Sequence, residues 1–254
     1  MISRRDSLTA LAAVPLAAGS ALTARGQEGG RSAPRDLRIG ERQKLVMVGD
    51  SITDAGRQRP VGEGRGDALG RGYVMLVDAF LTATYPERYI RVVNQGISGN
   101  TTRDLKARWQ TDVLDLKPDW VSIMIGANDV WRQFDSPRLV ERHVLIEEYE
   151  SNLRELAAAT KPLVKGLVLM TPFYLEPRRE DAMRATMDRY GAVVRQIAKD
   201  EGLILVDTQA AFEPLLKVLY PASINWDRVH PDATGSLVLA RAFLDAIGFD
   251  PLKR

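Results

Sequence analysis

The chain has 254 residues, 45% hydrophobic and 27% charged, the make-up of an ordinary soluble globular protein, and one α/β domain is the simplest fit. A formal net charge of +2, with both signs interspersed, leaves no basic stripe for nucleic acid or an anionic membrane, so neither is an expected partner. The absence of cysteine excludes disulfides, thiolate catalysis and Cys-based metal sites, and only His143 and His230 are available for imidazole chemistry.

Residues 1–24 differ in character from the rest. Arg4 and Arg5 precede an Ala/Leu-rich run interrupted by Pro15 and ending in small residues, and the pair followed by Asp6-Ser7-Leu8 resembles a twin-arginine export signal. As a membrane anchor the run over 8–24 is short and weakly apolar, so a cleaved signal and a periplasmic or secreted product are expected. Small-x-small spacing allows cleavage after Ala21. Residues 25–40, rich in Gly, Arg, Ser and Pro, read as a flexible leader, which places the folded domain over 41–254.

Short apolar runs of strand length follow at 44–48, 90–93, 120–125, 167–170 and 203–206. Between them, Tyr73, Leu76, Val77, Phe80 and Leu81 fall at helical spacing, as do Leu145, Tyr149, Leu153, Leu156 and Ala157. Met183, Met187, Tyr190, Val194 and Ile197 form a third such stripe, and a last helix is expected over 237–247. Nearly unbroken apolar strands joined by helices predict a three-layer α/β/α domain around a five-stranded parallel sheet, covered on both faces.

Ligands bind such folds at the carboxyl ends of the strands. After the first run comes Gly49-Asp50-Ser51, after the second Asn94 to Asn100, and after the third Gly126-Ala127-Asn128-Asp129. A hydroxyl on a tight strand-to-helix turn is a candidate nucleophile once a base removes its proton. His230 is the candidate base, and Asp227, three residues upstream, is placed to orient its ring. The N–H groups of Ser51 and Gly99 and the side-chain amide of Asn128 are candidate oxyanion donors. Each of these residues alone is an ordinary turn residue; together they form a constellation. Asp50 points away from the serine's side and reads as a structural hydrogen-bonder. His143 has no acid at a triad-like offset and is expected early in a helix, outside the chemistry.

Residues 55–72 are glycine-rich and charged, and read equally as a substrate-framing loop, with Arg57 and Arg59 near the substrate, or as an exposed connection. Gly62, Gly64 and Gly66 do not stand between strand and helix at dinucleotide-binding spacing. Trp131 and Trp226 are candidate aromatic walls of a ligand pocket, while each is equally a candidate packing or interface residue.

Gly49-Asp50-Ser51-Ile52-Thr53, Gly96 to Thr101, Gly126 to Asp129 and Asp227-Arg228-Val229-His230-Pro231 resemble the four sequence blocks of the GDSL, or SGNH, hydrolases. The resemblance implies a flavodoxin-like sheet, Ser51 as nucleophile, His230 as base, Asp227 as its orienter, and Gly99 and Asn128 in the oxyanion hole. Stretches outside the blocks, among them RVVNQGISGNTTRDLKARW and LKPDWVSIMIGANDVWRQ, are similar to the acetylxylan esterase branch. That implies a serine esterase acting on acetylated carbohydrate, without metal or organic cofactor, assembled as a homo-oligomer, an octamer being one form. An export signal departs from branch members that work inside the cell, which keeps a cytoplasmic location as the alternative. The rival functions are an SGNH esterase or lipase for another small ester, and a catalytically idle carbohydrate-binding protein.

Overall fold

Five apolar segments pair in parallel through the centre of the protein, in the order β2-β1-β3-β4-β5. They are β1 (Lys44–Gly49), β2 (Arg91–Gly96), β3 (Trp120–Met124), β4 (Gly166–Met170) and β5 (Ile204–Val206). The structure is a computed structural model and describes residues 36–64 and 66–253. Among the described residues eight α-helices accompany the strands: α1 (Ser51–Asp54), α2 (Tyr73–Thr84), α3 (Thr102–Asp112), α4 (Ala127–Asp135), α5 (Ile146–Thr160), α6 (Ala182–Glu201), α7 (Thr208–Leu216) and α8 (Ala233–Ala246).

Leu45 to Val48 are fully buried, as an apolar strand covered on both faces must be. Because β2 lies on one side of β1 and every later strand on the other, right-handed crossovers place α2 on the opposite face from the helices leading to β3, β4 and β5. Accordingly α2 packs with α8 and α8 with α7, whereas α3, α5, α6 and α4 pack among themselves. The expected three layers are present. Among the described residues no helix is long and apolar enough to cross a membrane.

The structure moves several boundaries. The domain begins before residue 41: Leu37 and Ile39, assigned from composition to the leader, are buried in the core. Arg88 donates to both of their carbonyls, at 2.8 and 2.6 Å, and Arg38 N–H bonds Ile247 O at 3.0 Å, so this segment is tied to the end of α8. The export signal expected over 1–24 and the first part of the expected leader lie outside the described residues. β4 starts one residue early, at Gly166, which sits opposite Trp120 where a Cβ would come within 2.1 Å of the indole ring. Leu145 is not part of the buried stripe of α5. It precedes the helix and is exposed, and the buried face runs through Tyr149, Asn152, Leu153 and Leu156. His143 is not helical either: it follows a short turn in extended conformation, with its Nε2 3.1 Å from the Ser136 carbonyl.

The register is what prepares a site. Gly49 pairs with Gly96 of β2 and with Met124 of β3, so the first three strands end at one level. The loops after them therefore leave the sheet side by side, where strand order reverses.

Candidate active site

Ser51 is the first residue of α1, directly after β1 and Asp50. The Asp50 carboxylate accepts the Ile52 N–H at 2.9 Å and caps this one-turn helix, while the Ser51 side chain stays half-buried and open to a ligand. Ser51 Oγ lies 2.7 Å from His230 Nε2, across 179 residues of chain. On the other side of the ring, His230 Nδ1 is 2.5 Å from Asp227 Oδ2. A carboxylate can only accept there, so Nδ1 carries the proton and Nε2 is the acceptor facing the serine hydroxyl.

The spacing D-x-x-H is a local device. Asp227 Oδ1 accepts the backbone N–H groups of Val229 at 2.9 Å and His230 at 2.8 Å, so one carboxylate folds the loop and orients the ring it supports. Burial works to raise the Asp227 pKa, but the bonds from the His230 ring and the two amides outweigh it and hold the group below the usual carboxylate range. Arg228, inside the motif, adopts φ +64°. That conformation costs a non-glycine residue energy. Its guanidinium pairs with the buried Glu176 at 2.5 Å, and its carbonyl accepts the Leu175 N–H at 3.0 Å.

The oxyanion side comes from the other two loops. Gly99 sits at φ +84°, a left-handed backbone for which glycine is suited, and the direction of its missing Cβ is open space. Asn128, second residue of α4, is buried, and its Nδ2 donates to the Asn100 carbonyl at 3.0 Å. The Gly96–Asn100 loop and Asn128 are thus joined directly. Arg108 of α3 stitches the same region together: it donates to Asn100 Oδ1 at 2.7 Å, to Gln95 O at 2.9 Å and to Gly49 O at 3.2 Å.

The four other candidates divide. Arg57 is not placed to grip a substrate, because only 5% of it is exposed and its Nε and Nη1 donate to the carbonyls of Gly96, Gln58 and Pro60 at 2.8 to 2.9 Å. Burial, followed by the neighbouring Arg59 charge, pushes its pKa down to about 10. Arg59 pairs with Asp54 at 2.6 Å, and that carboxylate also accepts the N–H and hydroxyl of Ser98, so Arg59 braces the loop before Gly99. About half of its side chain remains exposed. The two tryptophans differ in their surroundings. Trp131 is the one beside the chemistry, its ring 5.8 Å from that of His230, whereas Trp226 is 82% exposed. The connection over 55–72 is pinned to the sheet by Gly62, which exchanges backbone bonds with Asn94 at 2.8 and 3.3 Å.

Two buried carboxyls flank the site. Burial pushes Asp50 up to about 6 and Asp129 up to about 7. Asp129 Oδ1 accepts the N–H and hydroxyl of Thr102 at 3.0 and 2.6 Å, while Oδ2 has no partner among the described residues. A carboxyl whose folded pKa exceeds its unfolded value binds more protons when folded, so its contribution to stability falls as pH rises from about 4 to about 7. Wild-type protein is therefore expected to lose more Tm than Asp129→Asn between pH 5 and pH 8. Calorimetry on both at the two pH values checks this, and parallel losses would refute it.

Residues 47–237 match the GDSL-like lipase/acylhydrolase family. The chain is 62% identical over 214 residues to an acetylxylan esterase of Geobacillus stearothermophilus, an alignment covering 84% of this chain and 98% of the relative. The crystal structure of an acetylxylan esterase from that organism superimposes with a TM-score of 0.84 at 61% identity, covering 85% of this chain and 98% of the other. An alpha/beta hydrolase from the metagenome of Lake Arreo, Spain, gives 0.83 at 55% identity, covering 84% and 99%. With the hydrogen-bonded Ser51, His230 and Asp227 on a sheet of this topology, the chain belongs to the GDSL-like lipase/acylhydrolase family.

Proposed function

We propose that the protein is a serine esterase that removes O-acetyl groups from xylan or xylo-oligosaccharides through an acetyl-enzyme intermediate. The observation that carries this reading is the continuous path Ser51 Oγ–His230–Asp227, at 2.7 and 2.5 Å, in a chain 62% identical to an acetylxylan esterase. His230 Nε2 takes the hydroxyl proton as Ser51 Oγ attacks the acetyl carbonyl, and Asp227 stabilises the imidazolium that forms. The N–H groups of Ser51 and Gly99 and the Asn128 amide receive the charge developing on the carbonyl oxygen. The C–O bond to the sugar then breaks, and the departing alkoxide collects the proton from His230. Water repeats the sequence on the acetyl-enzyme, with His230 again the base, releasing acetate and free Ser51. All three polar positions of the triad are in contact, which disfavours a catalytically idle protein with the same fold.

Two further features belong to the proposal. Export by a twin-arginine route is supported by Arg4 and Arg5 ahead of the apolar run, in residues outside those described. Assembly into a homo-oligomer is supported by Val218, Leu219, Tyr220 and Trp226, large apolar side chains left exposed in one stretch of chain.

Purified protein is expected to cleave 4-nitrophenyl acetate and acetylated xylo-oligosaccharides in preference to longer acyl esters. Ser51→Ala should lower kcat by about 10^4-fold or more, and Asp227→Asn by about 10^2 to 10^4-fold through loss of the productive tautomer. Equal rates for wild type and Ser51→Ala would end the enzyme reading, and preference for long chains the acetyl assignment. Replacing Arg4 and Arg5 together by lysine should retain the protein in the cytoplasm; unchanged export would refute the signal. Light scattering is expected to give a multiple of the chain mass, and a monomer mass would remove the assembly proposal.

A further inference from the structure

Helix α4 carries more of the site than Asn128. Asn128, Trp131, Arg132 and Asp135 fall at i, i+3, i+4 and i+7, so they share one face of this nine-residue helix. Arg132 Nη2 donates to Asn128 Oδ1 at 2.9 Å. Its other terminal nitrogen pairs with Asp135, and its guanidinium lies 5.4 Å from the centroid of the Trp131 ring, which is itself 5.8 Å from the His230 ring. The arginine side chain is 28% exposed. Held by a carboxylate, an aromatic ring and an amide, it is fixed in a way that a solvated helix-surface arginine is not.

We propose that Arg132 is a positioning residue for the oxyanion hole, acting through Asn128. This rests on the esterase reading above. A carboxamide presents opposite charge at its two ends, and only the NH2 end can receive a developing oxyanion. The Asn128 oxygen faces the guanidinium and one Nδ2 hydrogen bonds the Asn100 carbonyl, which leaves the second Nδ2 hydrogen for the substrate. Arg132 contributes twice. Its charge makes the flipped amide, with nitrogen against guanidinium, unfavourable. It also draws electron density through the conjugated amide toward Oδ1, which makes the Nδ2 hydrogens stronger donors. Because the bond formed by Asn128 strengthens only as charge accumulates on the carbonyl oxygen, the effect belongs to the transition state and should appear in kcat.

The competing account is an ordinary helix-surface ion pair between Arg132 and Asp135, of little energetic consequence and none for catalysis. Steady-state kinetics on 4-nitrophenyl acetate with Arg132→Met and Arg132→Lys separate the two. Arg132→Met is expected to lower kcat by roughly 10-fold or more, short of the 10^2 to 10^3 that follows outright loss of an oxyanion donor, with KM within about twofold of wild type. Arg132→Lys, which keeps the charge, should recover part of that loss. Inhibition by methylboronic acid, whose tetrahedral adduct on Ser51 presents an oxygen to the same donors, should weaken in step with kcat, while Tm stays within about 2 °C. An unchanged kcat in Arg132→Met, a loss confined to KM, or a lysine variant no better than methionine would each overturn the proposal. Failure of the wild-type protein to turn over any ester would instead remove the esterase reading, and this inference with it.

Discussion

The site depends on one alignment: Gly49 of β1 lies level with Gly96 of β2 and with Met124 of β3. Parallel strands need only share a register for their carboxyl ends to share a level, and here three such ends bring nucleophile, oxyanion loop and asparagine to one rim. Slipping β2 by one residue would carry every side chain on it to the opposite face of the sheet and take Asn94 away from its hydrogen-bond partners. Asn94 makes that slip costly. Its Nδ2 donates to Thr53 O at 2.6 Å and Leu69 O at 2.8 Å, and its Oδ1 accepts the Gly96 N–H at 2.9 Å. A buried amide with partners in three segments would leave several polar groups unpaired if the register changed.

Arginine does much of the remaining positioning. Arg57 and Arg108 give their planar donors chiefly to backbone carbonyls at the ends of β1 and β2 and in the loop at Pro60. A guanidinium offers five donors in a rigid fork and satisfies several carbonyls at once. Arg228 is held by Glu176, which lets the loop between Asp227 and His230 pass through a left-handed residue without relaxing. The acid and base are therefore fixed from both sides, by Asp227 from within the loop and by Glu176 from beneath it.

Helices were legible in the sequence where they bury a broad apolar stripe, as in α2 and α6, and much less so where they serve the site. Only Thr102, Leu105 and Trp109 of α3 are buried, between charged residues, and α7 contains Pro214. In α4 the inward face carries Asn128 and Asp129, so an apolar-periodicity argument meets polar residues where it needs hydrophobic ones. The same failure hides Arg132, whose i+4 relation to Asn128 has meaning only once that segment is known to be helical.

The order and spacing of the apolar runs sufficed for a five-stranded parallel sheet, the turn after the first run for Ser51 and the D-x-x-H stretch for Asp227 and His230, because all are written in short stretches of chain. Burial of a side chain is a property of the whole fold and is not written locally. Arg57 and Arg59 are two residues apart and chemically alike, yet the packing of residues 55–72 against Asn94 spends one on carbonyls and leaves the other half in solvent. Trp131 and Trp226 were likewise interchangeable until tertiary contacts set one against the His230 ring and turned the other outward. Covalent order determined which chemical groups are present; long-range packing alone decided which of them face the reaction, since the distances that matter join residues up to 179 positions apart.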